Sequence, residues 1–287
     1  MAIYGIAGKK QHGKNTVAKI WQLLDYYYNI YDRRNINIKN NDVNYVVDRL
    51  NNNDYVDLSN WQQKTYADKL KEIACLLLGC TREQLEDNDF KESPLGDQWK
   101  VYTGNIPSTT GRYDDRKLFT SVDSLYDYYQ GLGYKPETIT VNVKTLTPRL
   151  LLQLLGTQCG REIIHPEIWI NALFADYKVI DGRTFQDPDD SNINYPNWLI
   201  SDVRFPNEVD AIKQRDGKVI RVNRINHKQY VEYEGKMVEA FDVHPSETSL
   251  DNYDGFDYVI EATGTAADLI PKVKTIMIKE GIINGTD

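Results

Sequence analysis

Cysteine is scarce in this chain, with three residues among 287. Cys75, Cys80 and Cys159 form no C-x-x-C pair and are odd in number. That spacing argues against a disulfide framework and against thiolate metal sites; buried, reduced thiols are the expectation. Long apolar runs are also missing. None approaches the roughly 20 residues needed to span a bilayer, so no membrane role is expected. The first residues lack the basic, apolar and small-residue pattern of a secretory leader, and a cytoplasmic location is expected. Positive charge is in deficit, with 34 Lys and Arg against 42 Asp and Glu and a net charge of −8. An acidic surface repels polymeric nucleic acid, although a local cluster of basic residues can still hold a small anion. The histidines, His12, His165, His227 and His244, are too scattered to argue for a metal site.

What is present is concentrated at the start. Ala2 to Ala7 reads as a short apolar strand, and Val17 to about Tyr28 as a helix. Between them runs Gly8-Lys9-Lys10-Gln11-His12-Gly13-Lys14-Asn15-Thr16, which fits the phosphate-cradling pattern G-x-x-x-x-G-K in its strand–loop–helix context. The two glycines permit conformations that turn successive backbone N–H groups toward an anion. The helix start adds unpaired donors and the positive end of its dipole. Lys14 supplies a mobile charge for the outer phosphates. Asn15 stands where Ser or Thr is usual. Its carbonyl oxygen and the Thr16 hydroxyl are both candidates to meet Mg²⁺ or its water.

Further along, the polar stretch from Asn29 to Asn60 reads as a surface insertion, with a short helix at Val43 to Leu50. Trp61 to Gly79 reads as a helix, with Tyr66, Leu70, Ile73, Ala74 and Leu77 at helical spacing and Lys69 and Lys71 on a solvated face. Thr81 is a cap for the next helix. Residues 88–147 read as an irregular, tyrosine-rich excursion or lid, with one clear strand at Thr138 to Val143. Arg112, Arg116 and Lys117 within it are candidate anion contacts, set against Asp114 and Asp115.

Thr147 and Pro148 open a helix as cap and first residue. At about 100° per residue, Leu150, Leu151, Leu152, Leu154 and Leu155 cover one arc. Arg149, Gln153, Gly156, Thr157 and Gly160 share the opposite arc. A cation, an amide, a hydroxyl and two glycines suit ligand contact better than simple solvation, since each helical glycine costs about 1 kcal/mol relative to Ala. Trp169, in the following helix, reads on its own as core. Trp198 to Phe205 is an apolar strand closing in Asp202 and Arg204. A carboxylate at a strand end suits a nucleotide's Mg²⁺, and Arg204 suits charge on a transferring phosphoryl group. Pro206 opens a helix, Lys218 to Val222 is a strand flanked by Arg221 and Arg224, and Tyr258 to Ile260 is the last strand.

Taken together these pieces resemble the bacteriophage deoxynucleoside monophosphate kinases, a branch of the P-loop nucleotide kinases. The resemblance rests on G-x-x-x-x-G-K-N-T, on Thr147-Pro148-Arg149 with Gln153, Gly156 and Thr157, on Trp169, on Asp202 to Glu208, and on Gly264-Thr265. It does not extend to Asn29–Asn60 or to most of 88–147. It implies an α/β P-loop fold with a mostly parallel sheet flanked by helices, as one domain over 1–287 with insertions at about 29–60 and 88–147. It implies transfer of phosphate from ATP, with Mg²⁺, to a deoxynucleoside 5′-monophosphate, in the host cytoplasm if virus-encoded. ATP contacts then fall on Gly8, Lys9, Gln11, His12, Gly13, Lys14, Asn15 and Thr16. Acceptor contacts fall on Arg149, Gln153, Gly156, Thr157, Trp169 (now a pocket wall) and Glu208. Lys14, Asp202 and Arg204 act on the reacting phosphates, and Asn15, Thr16 and Asp202 are the candidate Mg²⁺ contacts. A homodimer is suggested. The rival readings are another small-molecule P-loop kinase, such as a dephospho-coenzyme A kinase, and a nucleotide-binding protein without turnover.

Overall fold

The computed structural model describes residues 2–31, 42–52, 59–105, 117–178, 195–224, 230–233, 236–239 and 248–284. The chain divides into two compact units, one formed by residues 1–68 and 169–287 and the other by residues 69–168.

The first unit is built on five parallel strands in the order β2-β5-β1-β6-β9. They are β1 (Ile3–Ala7), β2 (Trp61–Lys64), β5 (Asn197–Val203), β6 (Lys218–Arg224) and β9 (Tyr258–Ala262). β1 lies at the centre, with Ala7 opposite Val203 on one side and Arg221 on the other. All five of its residues are buried, as a strand covered on both faces requires. Helix α1 (Lys14–Asp25), which continues as a wider π turn over Tyr26–Tyr31, packs one face of the sheet with α2 (Asp42–Asn51) and α10 (Ala266–Lys279). Val17, Ile20, Trp21 and Leu24 of α1 meet Ile270, Val273 and Met277 of α10 in that core. Helix α9 (Pro206–Lys213) covers β1 and β6 so closely that a Cβ on Gly5 would lie 2.5 Å from Ile212 Cδ1. The fold is the α/β class expected, a parallel sheet flanked by helices. Strands β7 (Tyr230–Tyr233) and β8 (Lys236–Glu239) form a separate antiparallel pair.

One expectation fails at β2. Trp61–Lys64 is a strand along β5, not the start of a helix, and the helix α3 begins only at Asp68 and ends at Leu78. The downstream helical spacing is real, but Trp61 is drawn into the aromatic cluster of Tyr4 and Trp21. Tyr66, taken as a helical position, lies in the turn before α3.

The second unit corrects the irregular reading of 88–147. Strands β3 (Lys100–Asn105) and β4 (Thr140–Thr145) pair antiparallel along their full length. Helix α6 (Val122–Gly131) packs beside them, and Phe119, Leu125, Tyr129 and Ile139 form a small core. The tyrosines are used for packing: Tyr129 donates to the Gly104 carbonyl over 2.8 Å, and its ring fills the space where a Cβ on Gly104 would sit. Lys117 lies over the Tyr128 ring at 3.3 Å, a cation–π contact. Arg112 and Arg116 lie outside the described residues. Thr81 caps α4 (Arg82–Glu86) in a reciprocal box with Gln84, and Asp87 caps α5 (Asn88–Glu92). The solvated role of Lys69 and Lys71 is met by ion pairs to Glu72 and Glu86.

The three cysteines carry free thiols, but the burial expected of them fails. Cys75 and Cys80 are half-buried and Cys159 is exposed. The face of α3 that carries Ile73, Leu76 and Leu77 is open to solvent, so this helix buries less than its apolar spacing implied.

Candidate functional site

The phosphate-cradle loop joins β1 to α1 as the sequence requires. Gly8 has φ 156° and Gly13 φ 91°, and Gln11 between them is left-handed at 63°. At Gly8 a side chain has no room, because a Cβ would lie 2.6 Å from the Val222 carbonyl oxygen. Gly13 is the N-cap of α1, brings no side chain to cap it, and no acidic residue occupies the first turn. No side chain caps the first N–H groups of α1, an arrangement that favours an anion there.

Lys14 is buried, and its ammonium donates to the carbonyls of Gly8 at 2.6 Å and Lys9 at 2.8 Å. The lysine is folded onto its own loop. Lys9 pairs with Asp251 at 2.8 Å, and Asp251 is also reached by Arg221 at 3.5 Å. His12 is buried, with Nδ1 3.2 Å from the Val222 carbonyl and 3.3 Å from the Arg224 N–H. With Nδ1 protonated it donates to the carbonyl; with Nδ1 bare it accepts the N–H. The Arg224 guanidinium donates to the Gln11 carbonyl at 3.2 Å. The end of β6 therefore fastens the middle of the loop. Composition hid this, because Arg224 was legible only as a residue flanking a strand.

Asp202 sits at the end of β5, one residue before Val203, which pairs with Ala7. It thus lies beside the loop at the C-terminal edge of the sheet, where parallel sheets bind ligands. Its two carboxylate oxygens accept the N–H groups of Tyr66 at 2.8 Å and Ala67 at 3.0 Å. Burial pushes this carboxyl above the ordinary carboxylate range, against the pull of those two donors and of Arg204. Nearby Asp68 adds to the rise. Arg204 is half-buried. Its N–H and that of Phe205 both donate to Glu208 Oε2, at 2.7 and 3.1 Å. Glu208, expected as a substrate contact, is fully buried and caps α9 while fixing the backbone of Arg204.

Asn15 is exposed and Thr16 half-buried at the start of α1. Among the described residues no cluster of three or more His, Cys, Asp and Glu can enclose a metal. Sparse oxygen donors of this kind (one carboxylate, a hydroxyl, an amide) fit Mg²⁺, which keeps waters and leans on substrate phosphates.

The second unit carries the other predicted set. Thr147 caps α7 (Pro148–Gln153) by accepting the Leu150 N–H, and Arg149 is paired with Glu92. After Gln153 the helix widens into a π segment, Leu154–Ile164. Its i→i+5 bonding turns less per residue than the 100° assumed, so the proposed arc does not continue as drawn. Gln153 is exposed, Thr157 half-buried, and Gly156 and Gly160 are buried. Leu70 Cδ2 would lie 3.0 Å from a Cβ on Gly156, so this glycine makes room for a leucine. Of the leucines only Leu151 is fully buried. Trp169, the second residue of α8 (Ile168–Phe174), is buried in the first unit.

No protein-family model matches the chain. It is similar to the deoxynucleoside-5′-monophosphate kinase of Escherichia phage T5, at 25% identity over 261 residues, covering 86% of this chain and 84% of that protein. The resemblance to the phage deoxynucleoside monophosphate kinases holds. The parallel sheet with its β1–loop–α1 start agrees with a P-loop fold. Among the described residues no helix is long and apolar enough to cross a membrane.

Proposed function

We propose that this protein transfers the γ-phosphoryl group of ATP to a deoxynucleoside 5′-monophosphate, giving ADP and the diphosphate, a precursor for DNA. The observation that carries the reading is the uncapped start of α1 behind Gly13, with Lys14 folded beside it, in a chain similar to a phage kinase over 86% of its length. The loop from Gly8 to Thr16 holds the donor phosphates through backbone N–H groups. Lys14 exchanges its two carbonyl partners for phosphate oxygens, a swing that needs only its own side chain. An oxygen of the acceptor phosphate attacks the γ-phosphorus, and the bond to the β,γ-bridging oxygen breaks. No side-chain nucleophile is needed, because positioning and charge stabilisation carry this chemistry.

Arg204 stabilises the transferring group, and Glu208 acts through it by holding its backbone. Asp202, with Asn15 or Thr16, would hold Mg²⁺, which when bound would neutralise charge on the donor phosphates. Arg149 grips the acceptor phosphate, with Gln153, Thr157 and Trp169 at its nucleoside. The protein works as a homodimer in the host cytoplasm on this reading.

The test is an acceptor panel. Purified protein is mixed with ATP, Mg²⁺ and each deoxynucleoside monophosphate, with dephospho-coenzyme A alongside. ADP released with at least one deoxynucleotide is the expected result. Turnover confined to dephospho-coenzyme A selects the rival kinase, and stoichiometric ATP binding without turnover selects the binding protein.

A further inference from the structure

Helix α3 ends at Leu78, and Gly79 follows with φ 64°. A left-handed residue just past a helix turns the chain back, and glycine takes that conformation without a Cβ penalty. The Cys80 N–H then donates to the Cys75 carbonyl over 3.2 Å. This six-residue closure is the Schellman helix end, in which the side chains of the two bonded residues come together, usually as an apolar contact. Here both positions are cysteine, so the backbone closure brings two thiols to one helix end. Both are half-buried, so the pair keeps one side toward solvent, whereas Cys159 is an exposed thiol elsewhere in the same unit. Burial and then the neighbouring sulfur push the Cys80 thiol above its ordinary range. That places its reaction on the alkaline side of neutrality, because the thiolate is the reactive form.

We propose that Cys75 and Cys80 form a reversible dithiol–disulfide site whose reaction partner is a low-molecular-weight disulfide. One protein thiolate attacks that disulfide, forming a mixed disulfide and releasing one small thiolate. The second protein thiolate attacks the protein sulfur of the mixed disulfide, closes the Cys75–Cys80 bond and releases the second small thiolate. The two protein sulfurs are oxidised by two electrons, the small disulfide is reduced, and the released thiolates take up the two protons. A disulfide tolerates only closely spaced, facing residues. The helix end supplies such a pair before oxidation, so α3 need not unfold for the bond to close.

The test equilibrates the full chain in buffers of graded oxidised-to-reduced glutathione ratio, then quenches with acid, alkylates free thiols and digests with trypsin. Cleavage after Lys71 and Arg82 releases Glu72–Arg82, which holds Cys75 and Cys80 and excludes Cys159. The expected product is that peptide, unalkylated and two hydrogens lighter. Its midpoint should fall at an oxidised-to-reduced ratio at least about tenfold lower in the folded chain than in urea. Cys159→Ser leaves the midpoint unchanged. Gly79→Ala, which strains the positive φ, moves it toward the urea value. Equal midpoints in folded and unfolded chain would overturn the proposal, as would glutathione adducts in place of the internal bond.

Discussion

The guanidinium of Arg224 donates to the carbonyl oxygen of Gln11 over 3.2 Å, which ties the end of β6 to the left-handed residue in the middle of the loop. Loss of that bond loosens the loop without touching Lys14. Arg224→Ala should raise the KM for ATP about three- to tenfold, the scale of one hydrogen bond of 0.5–1.5 kcal/mol, and lower kcat less. Steady-state kinetics at varied ATP give the answer. An unchanged KM would reduce the contact to a surface accident.

Arg149 is held by Glu92. On the proposed function, a carboxylate in that position competes with the acceptor's phosphate for the same guanidinium. Glu92→Gln should therefore lower the acceptor KM about two- to threefold, while Arg149→Ala raises it, since an exposed ion pair amounts to less than about 1 kcal/mol. Both variants would leave the ATP KM alone. A higher acceptor KM in Glu92→Gln would mean that the pair orients Arg149 for binding.

Gly156 separates two explanations of the polar arc. Leu70 occupies the space beside it, 3.0 Å from where a Cβ would be. The obstacle is the end of a flexible side chain, so Gly156→Ala should cost less than about 1 kcal/mol, offset in part by the better helix propensity of alanine. If the glycine serves packing, the acceptor KM stays put and thermal unfolding shifts slightly. A large rise in KM at unchanged stability would restore its direct role in binding.

These cases show which parts of the molecule were legible in sequence. The loop was, because strand, glycines, lysine and helix are contiguous and their chemistry is local. Strands β5, β6 and β9 announced themselves by apolar runs, and the caps at Thr81 and Thr147 by residue type. Strand β2 was not legible. Trp61-Gln-Gln-Lys64 has four residues and little alternation, and its pairing partner lies 136 residues away at Asn197 (197 − 61). Strand β4 was read, as Thr138 to Val143, but its partner β3 was missed for the same reason, since α6 intervenes between two short runs. Asp202 was legible as a strand-end carboxylate, but its grip on Tyr66 and Ala67 depends on which strand lies beside β5. Arg224 needed the knowledge that β6 neighbours β1. Site chemistry that crosses between strands becomes visible only with the strand order.

Glu280 provides a test of the sheet's opposite end. Lys218, Tyr4 and Tyr258 all donate to its carboxylate. Burial works to raise the Glu280 carboxyl, but the bonds from Lys218, Tyr258 and Tyr4 outweigh it and hold it below the usual range. The same bonds act in reverse on the phenols. The bond to Glu280 pushes Tyr258 up to about 12, and burial followed by that bond raises Tyr4 as well. The signs follow from proton linkage. A depressed carboxyl contributes stability that is present above its unfolded pKa of about 4.3 and is lost as pH falls through the folded value. A raised phenol contributes stability that is present below about 10 and is lost as pH rises through the folded value. Glu280→Gln should thus cost about 1–2 kcal/mol at neutral pH, a modest figure because Lys218 is solvent-exposed. It should also flatten both limbs of the stability profile. Urea unfolding from pH 3 to pH 11 in both proteins measures this. Parallel acid limbs would show that Glu280 titrates alike folded and unfolded, and the network would then have no part in acid stability.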